Sequence, residues 1–396
     1  MSRGGPLIIA EIGTAHGGDI CRARELIDAA ARSGADAAKF QIVYASEILH
    51  PASGSVKLPG GSVPLYERFQ SLEREAGFYA ELKEITEAAG LLFICSPFGI
   101  KSARVLRRIE TAVFKIASPE LNHFPLLEEV AGYGRPVILS SGVSTLGDIE
   151  KALTVIRKSS RAPQDAFVPV DLAALHAQSR RILAPLSLLH CITAYPAPEE
   201  EYNLKVIPNL AALFGIPVGV SDHSADPVLV PALAALHGAA LIEKHFTLDT
   251  SGGGLDDIIA LTPGKFAGMV REVRAAETEA AAGRAAEVIE AFEAAYGRDR
   301  VRRVLGNGVK TLAPSEAENY STTRRGVHAL RQIPEGECFT EENTALLRSE
   351  KNLRPGLPPD MWTLILGRAA ARTVPAGAGI VWDDLLPPPQ SGPLER

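Results

Sequence analysis

The sequence predicts an α/β protein in which a (β/α)8 barrel, or TIM barrel, is followed by a small β-rich domain. First, short apolar runs alternate with segments of helical periodicity from residue 7 to about residue 285, as in successive parallel βα units. Second, polar side chains stand where most of these runs end. Third, the pattern changes after residue 323 to short turn-rich segments, which indicate a separate compact domain.

Eight apolar runs are predicted as strands, at residues 7–12, 35–41, 91–96, 112–117, 136–140, 188–192, 217–221 and 240–245. Each is nearly continuously apolar, as expected for strands that are covered on both faces. A doubly wound open sheet shows the same alternation, so the number of strands does not separate the two architectures. The polar residues at almost every strand end favour the barrel, because a barrel enzyme has its active site there.

Two stretches interrupt the alternation of strands and helices. Residues 51–72 follow the second strand on the side of the predicted active site and are a candidate lid, whereas residues 159–184 precede the sixth strand and lie on the opposite face. We predict a barrel domain over residues 1–290, a linker over 291–323 and the second domain over 324–390. Two similar turn-rich segments, at 333–342 and 374–383, predict that this domain has two related halves.

Composition argues against several classes of protein. The chain has 396 residues and a net charge of -6, and it lacks the basic stripe that nucleic acid requires. No apolar run approaches the roughly 20 residues that span a bilayer, and no signal-peptide pattern precedes the first strand, so we expect a cytoplasmic protein without a membrane partner. The four cysteines have no paired spacing, which predicts reduced thiols.

Histidines stand at the ends of the seventh and eighth predicted strands, with His223 two residues after the seventh and His245 as the last residue of the eighth. A single histidine at a strand end is more often an ordinary polar residue, but two on adjacent strands, flanked by Asp222 and Glu243, favour a metal site. Neutral imidazoles suit Mn2+, Zn2+ or Fe2+ better than Ca2+. Such an ion would act as a Lewis acid on a carbonyl group.

Lys39 and Lys115 end strands that are otherwise apolar, and a buried ammonium requires an anionic partner. One explanation is a salt bridge to a carboxylate, for which the candidates are Glu11, Glu120 and Glu243. A second is a site for a phosphate or carboxylate, with Ser118 and the turn at residues 140–142 as hydrogen-bond donors. A third is a Schiff-base lysine, which metal ligands in the same pocket would disfavour.

Two further features carry weaker signals. Residues 251–257, Ser-Gly-Gly-Gly-Leu-Asp-Asp, follow the eighth strand and predict a flexible loop that brings Asp256 and Asp257 near the metal. In the sixth strand, His190 and Cys191 point to opposite sides because side chains alternate along a strand. We interpret Cys191 as a packing residue.

Together these motifs resemble the N-acetylneuraminate (sialic acid) synthase family, which includes legionaminate, pseudaminate and spore-coat polysaccharide synthases. The matching stretches extend over nearly the whole chain and are Ile-Ala-Glu-Ile-Gly at 9–13 with His16 and Gly18, Gly-Ala-Asp-Ala-Ala-Lys-Phe-Gln at 34–41, Ser-Pro-Phe at 96–98, Lys-Ile-Ala-Ser-Pro-Glu at 115–120, Leu-His-Cys at 189–191 with Tyr195 and Pro196, Val-Ser-Asp-His at 220–223 and Glu-Lys-His-Phe at 243–246. The C-terminal part, with Arg324, Arg325 and Arg-Pro-Gly at 354–356, is similar to the family's antifreeze-like (SAF) domain.

The resemblance implies a transferase that condenses phosphoenolpyruvate with an amino-sugar aldehyde similar to N-acetylmannosamine, giving a nonulosonic acid and phosphate. It implies that His223 and His245 hold Mn2+ or Mg2+. The residues it assigns to phosphoenolpyruvate are Lys39, Lys115, Ser118 and Tyr195, and those it assigns to the acceptor and water are Glu11, Gln41, Glu120 and Asp256. Ser141, in the turn at residues 140–142, is a further candidate for substrate binding. It also implies that Arg354 reaches into a neighbouring subunit's barrel to bind the sugar, in a domain-swapped homodimer.

The chain departs from the family pattern around the acceptor. The family's Asn-His pair after the first strand becomes Ala15-His16, and its Pro-Gly-Pro-Asp-His-x-x-Ser loop becomes Gly-Gly-Leu-Asp-Asp-Ile-Ile-Ala at residues 253–260. The acceptor therefore need not be N-acetylmannosamine. The alternatives are the same condensation on another aldehyde, a non-catalytic sugar-binding homologue, and a metal-independent aldolase.

Overall fold

The computed structural model describes residues 5–58, 61–160, 183–250, 256–350 and 352–385. Its strands, in chain order, are β1 (Leu7–Gly13), β2 (Ala37–Ile42), β3 (Ser55–Leu58), β4 (Gly61–Pro64), β5 (Leu92–Pro97), β6 (Val113–Ile116), β7 (Val137–Ser140), β8 (Leu186–Cys191), β9 (Val218–Asp222), β10 (Leu241–His245), β11 (Arg325–Ala329) and β12 (Thr344–Arg348). All except β3, β4, β11 and β12 form a closed barrel of eight parallel strands that follow one another in chain order. The predicted barrel is therefore confirmed, and all eight predicted strands are present.

Helices connect the barrel strands and surround the barrel, and a short one lies in the C-terminal domain. They are α1 (Ile20–Arg32), α2 (Ala45–Ile48), α3 (Leu65–Ser71), α4 (Ala76–Ala88), α5 (Ile100–Arg108), α6 (Phe124–Ala131), α7 (Leu146–Ser159), α8 (Val206–Phe214), α9 (Leu229–Leu236), α10 (Pro263–Ala281), α11 (Ala285–Tyr296), α12 (Arg298–Leu305), α13 (Asn319–Thr322) and α14 (Trp362–Ile365). Side-chain caps set helix starts, as where Asp19 accepts from the N–H of Cys21 at 2.7 Å. In the described ranges, no helix combines the length and the apolar character needed to cross a membrane.

Side-chain alternation divides each barrel strand into an inner and an outer row. Leu7 and Ile9 of β1 join a cluster inside the barrel, while Ile8 and Ala10 pack in the cluster beneath the helices. Because the period is two, the next inward residue of β1 is Glu11, which stands above the apolar floor. The same alternation places polar side chains at the top of the other strands. The barrel is thus apolar at its N-terminal end and polar at its C-terminal mouth.

The first insertion, residues 51–72, forms the hairpin β3–β4 and the helix α3. Leu65 of α3 packs with Val43, Ile48 and Phe98 beyond the strand ends. This places the insertion on the side of the mouth, and its role as a lid stays a prediction. Most of the second insertion, residues 159–184, lies outside the described residues.

The C-terminal domain contains the antiparallel pair β11–β12. The two similar segments noted in the sequence meet where Ile333 and Val374 exchange backbone hydrogen bonds of 2.9 and 2.8 Å. Their apolar residues, among them Phe339, share one core with Val327 and Leu346. The internal similarity therefore corresponds to two segments that pair with each other.

The region predicted as a linker, residues 291–323, has more structure than its weak periodicity indicated. It includes the end of α11 and all of α12, which buries Val301, Val304 and Leu305 in the main core. Arginines make up half of α12 and conceal its short apolar stripe, so its packing could not be predicted from the pattern of apolar residues. The segment is an integral part of the barrel's outer layer.

A buried histidine in the C-terminal domain predicts loss of stability in acid. The His328 imidazole lies 2.9 Å from the Gly377 carbonyl oxygen through Nδ1 and 3.2 Å from Ser349 Oγ through Nε2. Burial lowers its pKa from 6.5 to about 4. Because the unfolded chain gains the proton first, the stabilisation is present above pH 6.5 and is lost as the pH falls towards 4, by about 3 kcal/mol.

We therefore expect the melting temperature to fall as the pH is lowered from 7 to 4.5, in thermal unfolding followed by circular dichroism. The variant His328→Gln should show a shallower fall, because one titrating group is removed. Equal pH dependence in both proteins would show that His328 does not contribute.

Candidate active site

A network of two carboxylates and two ammonium groups lies at the bottom of the mouth. Lys39 Nζ is 2.9 Å from Glu11 Oε1 and 3.4 Å from Glu243 Oε1, and Lys115 Nζ is 3.7 Å from Glu243 Oε1. Gln41 Nε2 donates to Glu11 Oε1 at 2.7 Å. All four ionisable groups are buried. The salt-bridge explanation for Lys39 thus holds for Glu11 and Glu243, but not for Glu120.

The electrostatics of this network differ between the two lysines. Although burial disfavours its charge, attraction to Glu11 and Glu243 raises the pKa of Lys39. Burial lowers the pKa of Lys115, whose nearest carboxylate is more distant. Burial likewise raises the pKa of Glu11, against the attraction of Lys39. An anion that binds beside Lys115 would favour the charged form of that lysine, which suits it to a phosphate or carboxylate ligand.

The two predicted metal ligands lie together above this network. The ring centroids of His223 and His245 are 5.3 Å apart, and the ring of Tyr195 stacks on His223 at 4.4 Å. His223 Nδ1 lies 2.7 Å from the Ile192 carbonyl oxygen, so Nε2 is the nitrogen that is available to a metal. Although burial disfavours its charge, Cys191 raises the pKa of His223 to about 9, so binding of a metal ion there would release the proton of Nε2. Asp256 Oδ2 is 3.8 Å from His245 Nδ1.

Burial lowers the pKa of His245 well below its ordinary value, and His223 adds to this effect. A neutral imidazole is the form that binds a metal. Among the described residues, His, Cys, Asp and Glu side chains form no group of three with the spacing of a metal site. Two imidazoles would therefore need oxygen atoms from water or substrate to complete the coordination of an ion.

A second group of side chains lies beside Lys115, where the loops after β6, β7 and β8 meet. We call it the anion cradle and define it by Ser118, Ser141, Gly142 and Thr193. The Gly142 N–H donates to Ser118 Oγ at 3.0 Å, and Ser141 Oγ donates to the Leu189 carbonyl at 3.1 Å. A Cβ atom on Gly142 would lie 2.0 Å from Thr193 Oγ1, so only glycine fits between these loops.

Six buried side-chain oxygens at the strand ends have no hydrogen-bond partner among the described residues. They are Glu11 Oε2, Ser96 Oγ, Glu120 Oε2, Ser140 Oγ, Thr193 Oγ1 and Glu243 Oε2. Buried polar atoms in native proteins are nearly all paired. Such a concentration around one mouth is what a site for a polar ligand requires.

Two parts of the chain match the models of known protein families. Residues 26–285 match the model of the NeuB family. The chain belongs to the NeuB family. Residues 324–386 match the SAF domain, so the C-terminal domain is an SAF domain, and the resemblance seen in the sequence is confirmed.

Individual relatives match along most of their length. The spore coat polysaccharide biosynthesis protein SpsE of Bacillus subtilis is 36% identical over 382 residues, which cover 96% of this chain and 93% of SpsE. The N,N'-diacetyllegionaminic acid synthase of Campylobacter jejuni is 31% identical, covering 86% of this chain and 90% of that enzyme. The crystal structure of SpsE superposes with a TM-score of 0.75 at 34% identity, over 97% of this chain and 96% of SpsE.

Glu120 contacts the SAF domain rather than the other predicted site residues. Its Oε1 accepts from Arg325 Nη2 at 2.9 Å and from Arg348 Nη2 at 2.6 Å. The buried Arg325 guanidinium also donates to the carbonyl oxygens of Phe98 and Leu346. Glu120 therefore joins the barrel to the SAF domain of the same chain, a role that no local pattern around it indicated.

Arg354 likewise contacts residues outside the mouth. It donates to Asp384 Oδ2 at 2.6 Å and to the Gly379 carbonyl at 2.9 Å, both within the SAF domain. Arg348 is the SAF arginine at the mouth, where its guanidinium lies 5.5 Å from the Phe98 ring and interacts electrostatically with Tyr195. Within one chain, the structure brings Arg348 rather than Arg354 to the remaining site residues.

Sequence reasoning missed two other residues and misplaced a third. Cys191 was interpreted as a packing residue, but its Sγ lies 3.8 Å from His223 Nδ1. The alternation argument was sound, and the interior cluster that contains Leu189 shows which parity faces inward. Lys310 Nζ lies 3.4 Å from the Ser141 carbonyl oxygen, and Glu316 is buried beside the anion cradle. Both residues come from the predicted linker. Their charged side chains are buried, but no local sequence pattern indicates that burial.

Proposed function

We propose that the chain condenses phosphoenolpyruvate with an amino-sugar aldehyde, in a metal-dependent reaction that gives a nonulosonic acid and phosphate. The observation that supports this most is the position of two imidazoles next to two buried lysines and a cradle of hydroxyl groups at one barrel mouth. The lysines and hydroxyls suit a dianionic ligand, and the imidazoles suit an ion that contacts a carbonyl. Membership of the NeuB family adds a group of relatives named as nonulosonate synthases.

The residues divide the chemistry among them. Lys115 and the anion cradle would bind the phosphate group of phosphoenolpyruvate, and Lys39 its carboxylate. The alkene carbon attacks the aldehyde carbon, whose oxygen takes up a proton and becomes a hydroxyl group. Water adds to the resulting cationic centre, and the tetrahedral intermediate loses its hydroxyl proton and expels phosphate with cleavage of the C–O bond. Glu11 has one unpaired oxygen and, through burial, a raised pKa, so it would take the proton from the added water.

A divalent metal, Mn2+ or Mg2+, fits the donor set of this site. His223 would bind the ion through Nε2 with release of its proton, and the lowered pKa of His245 keeps that ring neutral. When bound, the ion would supply a Lewis acid for the aldehyde oxygen. The position of Asp256 near His245 would then serve to orient water or acceptor.

The acceptor is the part of the reaction that the site defines least. The departures from the family pattern fall in residues 253–260, part of which lies outside the described residues. The same condensation on a different aldehyde is therefore the second candidate. A non-catalytic sugar-binding homologue would have little reason to maintain two buried lysines and six unpaired oxygens at one mouth.

We also propose that the chain acts as a homodimer. The SAF domain docks on its own barrel through contacts centred on Glu120 and Arg325. The same contacts could form between two chains if the SAF domains were exchanged, because domain swapping preserves the interface. Light scattering coupled to size-exclusion chromatography would measure the mass, and a monomer at micromolar concentration would contradict this proposal.

The reaction is tested by phosphate release from phosphoenolpyruvate with Mn2+ across a panel of aldehydes. The panel contains N-acetylmannosamine, its 6-phosphate, and the diacetamido-hexoses that lead to legionaminate and pseudaminate. Phosphoenolpyruvate labelled with 18O in the bridging oxygen should yield labelled phosphate, since the C–O bond breaks. Release of unlabelled phosphate, or release that needs no acceptor, would contradict the mechanism.

Two arginines of the SAF domain are candidates for contact with the acceptor. We expect Arg348→Gln to raise the KM of the acceptor about 10- to 100-fold, the loss of one charge-assisted hydrogen bond, and to leave the KM of phosphoenolpyruvate unchanged. Arg354→Gln should mainly lower the stability of the SAF domain, because it removes the bond to Asp384. A larger acceptor effect from Arg354→Gln would instead support the role implied by the resemblance, with Arg354 in a neighbouring barrel.

A further inference from the structure

The segment between the two domains closes one side of the anion cradle. Lys310 reaches the Ser141 carbonyl oxygen, and Ser315 is anchored from outside by Glu201, whose Oε2 accepts from the Ser315 hydroxyl at 2.6 Å and from its N–H at 3.1 Å. After Ser315 the chain turns inward. Glu316, the next residue, is completely buried.

Glu316 joins two loops that come from different strands of the barrel. Its Oε1 accepts from the N–H of Val143, after β7, and from the N–H of Thr193, after β8, each at 2.6 Å. Its Oε2 accepts from the N–H of Ala313 at 3.3 Å. A carboxylate that accepts from backbone N–H groups forms charge-assisted hydrogen bonds, which are shorter and stronger than neutral ones.

The loop after β7 is strained at the residue that Glu316 contacts. Val143 has a φ of +44°, in the left-handed region that β-branched residues rarely occupy. The neighbouring Gly142 leaves no space for a side chain against Thr193. The two loops are therefore in close contact, and the loop after β7 has an unfavourable backbone conformation. The carboxylate of Glu316 accepts hydrogen bonds from both loops.

We propose that Glu316 is a positioning residue for phosphoenolpyruvate, which fixes the two cradle loops so that the hydroxyl groups and Lys115 converge on the phosphate. This inference rests on the proposed function. Among the described residues, the hydrogen bonds of the Glu316 carboxylate are to backbone N–H groups, and Glu316 acts through Val143 and Thr193. The segment between the domains is then part of the substrate site, and SAF-domain docking and phosphate binding share one connection.

The test compares Glu316→Gln and Glu316→Ala with the matched control Glu201→Gln, which loosens the same segment without touching the cradle loops. Binding of phosphoenolpyruvate to the Mn2+-loaded protein is measured by calorimetry, separately from turnover. We expect Glu316→Ala to weaken binding about 10- to 100-fold, because the two loops lose the hydrogen bonds that pre-organise them and must then be ordered by the ligand. Glu316→Gln should lie between alanine and wild type, because it keeps a neutral acceptor. Glu201→Gln should change binding less than about threefold.

Hydrogen–deuterium exchange provides a second measurement that does not depend on activity. The amides of Val143 and Thr193 should exchange faster in Glu316→Gln, but not in Glu201→Gln, while peptides of the barrel floor are unchanged. In turnover, the KM of phosphoenolpyruvate should rise and that of the acceptor should not. Equal effects of Glu316→Gln and Glu201→Gln on binding and on exchange would overturn the inference. If the wild type binds phosphoenolpyruvate but releases no phosphate with any acceptor, the proposed reaction fails, and the comparison of binding still decides the role of Glu316.

Discussion

Replacing His223 with alanine is expected to abolish metal binding and to reduce phosphate release by about 1,000-fold. Lewis-acid stabilisation of a carbonyl oxygen is worth several kcal/mol, and about 4 kcal/mol corresponds to that factor. The Nε2 of His223 is one of the two imidazole donors that we propose for the metal. Removing it leaves His245 alone, which cannot hold a divalent ion firmly.

The measurement is Mn2+ binding followed by electron paramagnetic resonance, together with phosphate release in the presence of each acceptor. His237→Ala is the matched control, because His237 contacts the Leu233 carbonyl at the end of its own helix, α9. It should bind Mn2+ as the wild type does. Treatment with a chelator should inactivate the wild type, and Mn2+ should restore it. An enzyme that keeps full activity under chelation and is trapped by borohydride would instead be a Schiff-base aldolase.

The barrel could be predicted from the sequence because each strand carries its own signal. An apolar run with a polar end specifies both a strand covered by helices and the position of its mouth. Glu11, Lys39, Glu243 and the two histidines came from this local pattern, and the structure brings them together. The alternation of side chains along a strand also specifies which residues lie on the same face of that strand. It leaves open which face points into the barrel, and Cys191 was assigned wrongly for that reason.

Contacts between distant parts of the chain left no comparable signal. Glu120 pairs with arginines more than 200 positions away, and Glu316 bonds to loops after β7 and β8 from a region that looked like a linker. A glutamate in a polar segment is usually exposed, so its burial depends on a tertiary fold that periodicity does not describe. The site residues at the strand ends could therefore be predicted from the sequence, whereas those in the segment after the barrel could not.

Replacing Lys39 with methionine is expected to destabilise the barrel and abolish activity together. Lys39 is the cation between Glu11 and Glu243, and its loss would leave two buried carboxyl groups without their close partner. Breaking a buried ion pair from one side costs about 3–5 kcal/mol. The free energy of unfolding, measured with urea, should fall by that amount, and phosphoenolpyruvate binding should be lost because the carboxylate has no counter-ion.

Two further variants separate stability from function in this network. Lys39→Met combined with Glu11→Gln removes one of the repelling carboxylates, so part of the lost stability should return while binding stays absent. Lys244→Met is the matched control, since Lys244 Nζ forms a buried pair with Asp222 at 2.6 Å on the outer row of β10. It should lose comparable stability and retain phosphoenolpyruvate binding. If Lys39→Met bound phosphoenolpyruvate as tightly as Lys244→Met does, Lys39 would have only the structural role of neutralising Glu11 and Glu243.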